Sequence, residues 1–446
     1  MKSIDIRNSV PWKVLTEAMN HKEILERAER IRQDESKTPD AYYLSTREVE
    51  SGLDIQAMMR EWHVCVALQQ SRNETDQKKG TKRISKMFDK IERAKAYAFV
   101  YNWRKAKAIY DIHPDLLEEI CKHVESSKAE LKLTRDMLEI PYWGIYVRLP
   151  TTRTIYDRMT KEQVHIDGFF IMKEYLPTIS QKGSDTEMYQ TLREHRKQSE
   201  HIEWLSMLPM KADGSQALTR DSVIYCPLPN GMESLESLLR DPDCLEYVQR
   251  TIEIDRVDRA VKAHPNAKAG TQIAVDMTLT DTERQTINEE TTQRSYWIKV
   301  IINILMYINT VNTEIHLDSE NHYKPLRKGG KAKDSPSSVA VFNVGHDVGV
   351  RIRKMRNAVK YLNRTGTGKR TGHHKSPIMH IRCGHNAIYH VGKGRTDIRI
   401  KWIMPILVNA KGKGIDYTTL IEVNKKNDEG TKPDFAKIAW GCDYAE

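Results

Sequence analysis

The chain has 446 residues, 39% of them hydrophobic and 30% charged, with a formal net charge of +10. At roughly 150 residues per domain this length allows two or three domains, and aromatic and β-branched residues recurring throughout exclude a disordered chain. The most apolar stretch, Trp297 to Ile308, is interrupted by Lys299 and Asn303; it is too short to span a hydrocarbon core of about 30 Å, so a buried helix is expected there and no membrane contact.

In chain order, the N-terminal part reads as helical. Ser9 can cap a helix whose first turn holds Pro11, with Leu15, Met19, Leu25, Ala28 and Ile31 at helix-like spacings. Tyr42 to Leu44 is a short apolar run, and a helix follows near Asp54 to Gln69. Ser71 to Arg83, polar and with Gly80 inside, reads as an exposed loop. Helices are expected from Ile84 to about Tyr110 and from Pro114 to Lys128.

The middle changes character. Trp143 to Leu149 and Ile166 to Met172 are strand-like, with turn residues and charges in Thr151 to Glu162 between them. Residues 181–200 read as a polar surface insertion. Ser222 to Cys226 is a strand, Ser234 to Leu239 begins a helix, His264 to Gly270 is a loop, and Arg294 to Thr313 is the buried helix. Tyr323 to Ser338, rich in Lys, Gly, Ser and Pro, is a linker. The division that results is a mainly helical region 1–135, a mixed region 136–320 with insertions near 181–200 and 250–290, and a basic module 321–446, in an α+β fold.

Charge is segregated. Tyr323 to Ile415 holds 21 Lys and Arg against three Asp and Glu, a net of +18, which leaves −8 for the rest of the chain. A segregated positive excess fits a polyanion, because phosphate contacts release condensed counterions. Six cysteines (Cys65, Cys121, Cys226, Cys244, Cys383 and Cys442) are scattered with no CxxC pair, which argues against a disulfide framework or a four-cysteine zinc site. The N-terminus has no charged-then-apolar secretory pattern. The expected location is the cytoplasm and no cofactor is expected.

The basic module carries the candidate site. A helix is expected from Val344 to Leu362, its apolar stripe formed by Val348, Ile352, Met355, Val359 and Leu362, with Arg353, Lys354, Arg356 and Lys360 away from it. No acidic residue occurs from Gly349 to Thr396, so this helix gives up the i,i+4 pairs of an ordinary solvated face. Asn363 to Lys375 is a Gly-rich basic loop containing Arg364, Lys369 and Arg370; it lacks the Gly-x4-Gly-Lys-Ser/Thr spacing of a phosphate loop and reads as an arm lying on phosphates.

A β-hairpin should follow, Ile378 to Val391 and Asp397 to Val408, turning at Gly392 to Arg395. If Val391 pairs with Thr396, then Ile381, Cys383, Ala387 and Tyr389 share the core face with Ile398, Ile400 and Trp402. His380, Arg382 and Asn386 then join Arg399 and Lys401 outside. A bulge at Gly384 would shift the upper half.

His373, His374, His380, Cys383, His385 and His390 cluster in sequence, and three readings stand. Zinc is one, although the spacing matches no common finger and alternation separates His380 from His385. A metal-independent ribonuclease with His380 as acid or base beside Arg382 is another. In the third, His385 is a satisfied core histidine and His380 bonds phosphate or backbone.

The run His380-Ile-Arg-Cys-Gly-His385, then Tyr389, Gly392, Arg399-Ile-Lys-Trp402, Pro405, Val408 and Asn409, resembles the C-terminal signature of the second type V-A anti-CRISPR family, encoded by phages and other mobile elements. Trp103-Arg104 with Ile109-Tyr110, Trp143 to Val147, His165-Ile-x-Gly168-Phe169, the helix Trp297 to Ile315, Pro325, Val344-Gly345, Gly349 and Arg353 follow the family's order. The motif departs at Met379, Cys383, Asn386, Ala387 and His390, where the family has Pro, Arg, Trp, His and Trp. The resemblance implies inhibition of the type V-A effector nuclease at the level of its production, by recognition of the nascent effector chain and loss of its mRNA. RNA or the ribosome is the expected partner, and a purely protein-directed inhibitor using the acidic two-thirds is the other binding hypothesis.

Overall fold

A computed structural model describes residues 4–20, 64–65, 67–68, 71, 73–127, 130–140, 144–157, 160–175, 203–218, 222–240, 280–310, 312–318, 336–365, 380–395 and 397–408. The fold is α+β. The run at 42–44, most of the helix expected near 54–69, the insertion at 181–200, the loop at 264–270, the linker up to residue 335 and the Gly-rich loop at 366–375 lie outside the described residues.

Helix α1 (Val10–Asn20) precedes the long helix α2 (Glu74–Ala106). Residues 74–83 are therefore helical and not the exposed loop expected from their polarity. Asn73 caps α2, its side chain accepting the Thr75 N–H at 2.9 Å, and Glu74 and Asp76 complement the dipole of the first turn. Lys107 ends α2 in the left-handed conformation (φ 49°). The chain then enters β1 (Ala108–Ile112), so Ile109 and Tyr110 are central strand residues where a helix end was expected. The Trp103 indole N–H donates to the Ala108 carbonyl at 2.8 Å and pins the junction.

Helix α3 (Pro114–Ser126) follows, capped by the His113 side chain, with Pro114 in its first turn. After β2 (Lys132–Leu133) come β3 (Gly144–Asp157), β4 (Glu162–Tyr175), β5 (Glu203–Met210) and β6 (Ile224–Pro227). Strands β3 and β4 run through most of the segment expected to be turn, with a register irregularity between Arg148 and Arg153. Next are β7 (Glu233–Ser234), α4 (Leu235–Leu238), α5 (Asp281–Ile308), β8 (Ile315–Leu317), β9 (Ala340–Val344) and α6 (His346–Thr365). The basic helix thus begins at His346, two residues later than expected, because Val344 ends a strand.

Seven of these strands form one sheet in the order β6-β5-β4-β3-β1-β9-β8. Strand β1 is parallel to both β3 and β9, while β3 to β6 form an antiparallel meander. Both faces are covered, and strand alternation sorts the cores. Ile109, Tyr146, Phe170, Met172, Leu208, Met210 and Val341 meet α1 and α2 on one side. Tyr110, Ile145, Val147, Phe169, Ile171, Leu205, Met207 and Phe342 meet α3 and α5 on the other. Helix α5 is buried all round from Val300 to Ile308, as a helix without a polar face must be.

Strands β2 and β7 form a separate antiparallel pair, and four further strands build the C-terminal hairpin region, packing on α5 through Ile400 and Trp402. These four are β10 (His380–Arg382), β11 (His385–Val391), β12 (Asp397–Ile403) and β13 (Ile406–Val408), with β11 paired to β12 and β10 to β13. The hairpin exists as expected, but its register differs by one: Val391 pairs with Asp397, not Thr396. Asn386 and Ile388 therefore lie opposite Trp402 and Ile400, while Ala387 and Tyr389 lie opposite Lys401 and Arg399. Asn386 moves inside and Tyr389 outside, the reverse of the expected arrangement. The turn explains it: Gly392 (φ 82°), Gly394 (φ 84°) and Arg395 (φ 56°) all take positive φ, which fits a loop of five residues.

Candidate functional site

Helices α3 and α6 are joined by a buried charge cluster. Arg356, whose side chain is only 12% exposed, donates to Asp115 (3.3 Å), Glu118 (2.6 Å) and Glu119 (2.8 Å). Arg353 adds a bond from Nε to Asp115 at 2.7 Å. Glu119 is itself buried, and its second oxygen accepts the Gly384 N–H at 2.9 Å. One guanidinium and one carboxylate thus connect α3, α6 and the start of the hairpin.

Gly384 sits where the two ladders break. A Cβ there would lie 2.8 Å from Trp402, 2.9 Å from the Ile403 carbonyl and 2.9 Å from Pro405. Trp402 is buried, edge-on to Tyr307 at 5.3 Å. The Asn312 side chain clamps its backbone, accepting the Trp402 N–H (3.0 Å) and donating to its carbonyl (3.1 Å). Beside it the Asn386 amide donates to the Asn303 carbonyl at 3.0 Å. The His385 ring stacks on His123 of α3, centroids 5.6 Å apart. Burial, then the neighbouring His385 charge, push the His123 imidazole below its usual pKa. Cys383 is held protonated by burial and by Glu119, which raise its thiol pKa and leave it a poor nucleophile.

The opposite face of the hairpin is wet and basic. His380, Arg382, Tyr389, Lys393, Arg395, Arg399 and Lys401 are exposed, as are Lys354 and Lys360 on α6. Among the described residues Lys354, Lys360, Arg382, Arg399 and Lys401 make no ion pair. Tyr389 is 45% exposed and lies directly opposite Arg399.

The structure thus divides the candidates. Arg382, Arg399, Lys401, Lys354 and Lys360 are solvent-facing cations. Arg356 is committed to three carboxylates and Arg353 to one, so their charge is internally neutralised. Arg364 lies in the last turn of α6, and Lys369 and Arg370 lie outside the described residues. His380 and Arg382 stand on an exposed two-strand ribbon. Neither lines the cleft of about 490 Å³ formed by Asp115, Glu118, Cys121, Lys122, Glu125, Arg153 and Arg353.

Among the described residues the histidines of the cluster do not gather: His385 faces His123, while His380 and His390 are exposed, and His373 and His374 lie outside the described residues. The group of metal-type ligands that does form among the described residues is Glu314, His316 and Asp347, atoms within 4.8 Å of one another. Glu314 is engaged there as a helix cap, accepting the Asp347 and Val348 N–H groups at 2.7 and 3.0 Å.

Glu119 is the residue that sequence reasoning overlooks. Its signal is nonetheless present: a carboxylate flanked by Leu116 and Ile120 on the buried stripe of an amphipathic helix needs a cationic partner.

A sequence profile described as "AcrVA2-like: Anti-CRISPR type V subtype A2 family" matches residues 110–410. The chain belongs to the AcrVA2-like family. The match runs from β1 through β13 and so contains the sheet, α3, α5, α6 and the hairpin. Among solved structures the chain is similar to one titled "Crystal structure of AcrVA2", at 12% identity and a TM-score of 0.48, covering 89% of this chain and 96% of that one. No curated protein matches it.

Within this AcrVA2-like chain the motif residues fall into two groups. Gly384, His385, Trp402 and Pro405 are inward or in the break and hold the hairpin to α3 and α5. Tyr389 and Gly392 lie on the exposed side and in its turn. At the departures, Asn386 fills its inward position with a bond to Asn303, and Ala387 leaves a small side chain beside Tyr389.

Proposed function

We propose that this protein is an anti-CRISPR factor that lowers production of a type V-A effector, acting through RNA or the translating ribosome in the cytoplasm of a bacterial host cell. The observation that carries the reading is the row of exposed cations on the hairpin and α6, without ion pairs among the described residues, on a chain whose family is anti-CRISPR. Surface cations of this kind gain most from a polyanion, since nothing internal must be given up. Family resemblance supplies the rest: recognition of the nascent effector chain, followed by loss of its mRNA. The basic face would hold the protein on the ribosome or transcript while that recognition occurs.

The test is transcript abundance of a type V-A effector gene, native and synonymously recoded, in cells with and without the protein. Both transcripts should fall, because recoding preserves the peptide. A fall in neither overturns the reading. Arg399→Glu with Lys401→Glu should restore the transcript; unchanged repression would remove the basic face from the mechanism.

A further inference from the structure

The hairpin pairs Val391 with Asp397. This register places Tyr389 on the exposed face, directly across the ribbon from Arg399. Directly opposed residues on one sheet face have Cβ atoms about 5 Å apart, and diagonal neighbours remain within reach of long side chains. Lys401, the next outward residue on β12, therefore lies diagonal to Tyr389, opposite Ala387. Ala387, the residue on that side of Tyr389, carries only a methyl group. Around one aromatic ring the ribbon thus arranges two cations that make no ion pair among the described residues, with Asp397 on the other diagonal beside Gly392 and Lys393 and Arg395 exposed in the turn above.

An aromatic ring left 45% exposed on an outward ribbon face keeps surface free for a ligand, and beside two cations it matches a chain that alternates phosphate with a flat base. Duplexes bury their base faces; single strands present them. We infer that Tyr389 is a stacking platform for an unpaired base, with Arg399 and Lys401 on the adjoining phosphates, so that the ligand of this face is single-stranded nucleic acid. The inference rests on the polyanion reading above and narrows it. An acidic peptide would use the cations but would leave the ring idle.

The experiment is fluorescence anisotropy with the full chain and three labelled probes of one sequence: single-stranded RNA, single-stranded DNA and the RNA duplex. Wild type is compared with Tyr389→Ala, Tyr389→Phe and Arg399→Glu, each checked for native far-UV dichroism and unfolding midpoint. Both single strands should bind more tightly than the duplex. Tyr389→Ala should lose roughly 10- to 100-fold in single-strand affinity while the salt slope stays as in wild type, and Tyr389→Phe should retain binding.

Equal affinity for duplex and single strand, with Tyr389→Ala unchanged and Arg399→Glu weakened, overturns stacking and leaves a phosphate-only face. Displacement of RNA by polyglutamate at matched charge from wild type and Tyr389→Ala alike does the same in favour of an acidic partner. No binding of any probe overturns the polyanion reading and the stacking inference together.

Discussion

Glu119 on α3 accepts the backbone N–H of Gly384 at 2.9 Å, from 265 residues away in sequence, while its other oxygen is held by Arg356. This carboxylate is buried, so its charge is tolerated only because both oxygens are bonded. Removing the guanidinium would leave that charge uncompensated. Arg356→Leu is expected to destabilise the fold by roughly 3–5 kcal/mol. The double variant Arg356→Leu with Glu119→Gln should cost less than the two single changes together. Urea denaturation of the four proteins measures the cycle; strict additivity would mean that the two groups do not interact.

Gly384→Ala should be destabilising although the residue lies between strands. A methyl group would meet Trp402, the Ile403 carbonyl and Pro405 at 2.8–2.9 Å, and two of these neighbours are rigid. The expected cost is about 1–3 kcal/mol. Hydrogen exchange should localise it to β11 and β12; a wild-type exchange pattern would mean that the break relaxes freely.

The His123 imidazole, depressed by burial and by His385, gives a pH dependence of definite sign. A histidine that is harder to protonate folded than unfolded contributes stability fully present above the unfolded value of 6.5. That contribution is lost as pH falls from there through the lower folded value. Unfolding midpoints taken from pH 8 down to pH 5 should therefore decline on the acid side. His123→Asn should flatten the decline, and a profile identical to wild type would exclude His123 as its source.

Salt dependence should separate the exposed cations from the internal ones. Removing one phosphate neutralisation on a single strand lowers the log–log salt slope by roughly 0.7. Arg382→Gln, Arg399→Gln and Lys401→Gln should each reduce the slope of RNA binding by about that amount. Arg353→Gln should not, because its charge is already spent on Asp115. A slope unchanged in all four would place the RNA elsewhere.

Much of this is readable from the chain. The α5 core helix announces itself by unbroken apolarity, and Pro114 marks the start of α3. The outward Arg399 and Lys401 and inward Ile398, Ile400 and Trp402 follow from alternation alone. The register does not, because it depends on how many residues the turn consumes, and positive φ at the non-glycine Arg395 is not signalled by composition. Residues 74–83 mislead because a solvated helix and a loop share the same polarity; only the Asn73 cap distinguishes them. Strand β9 is hidden behind a basic linker, its five residues too few to show a period. The internal use of Arg353 and Arg356 depends on which helix lies alongside, and that is a tertiary fact.

The place of β1 in the sheet has a consequence for how the chain is made. Residues 108–112 sit between β3, a short way downstream, and β9 at 340–344. As the polypeptide leaves the ribosome, β1 can pair early with the meander of β3 to β6. Counted from its own emergence, the other edge of β1 stays open until more than two hundred further residues have been made. Closing so distant a parallel pair is slow, and an unpaired hydrophobic edge invites association in the interval. At about 5–20 residues per second, that edge is exposed for some ten seconds or more in each round of synthesis. Productive assembly of this sheet is therefore a late event, completed only when β9 and the basic C-terminal segment arrive together.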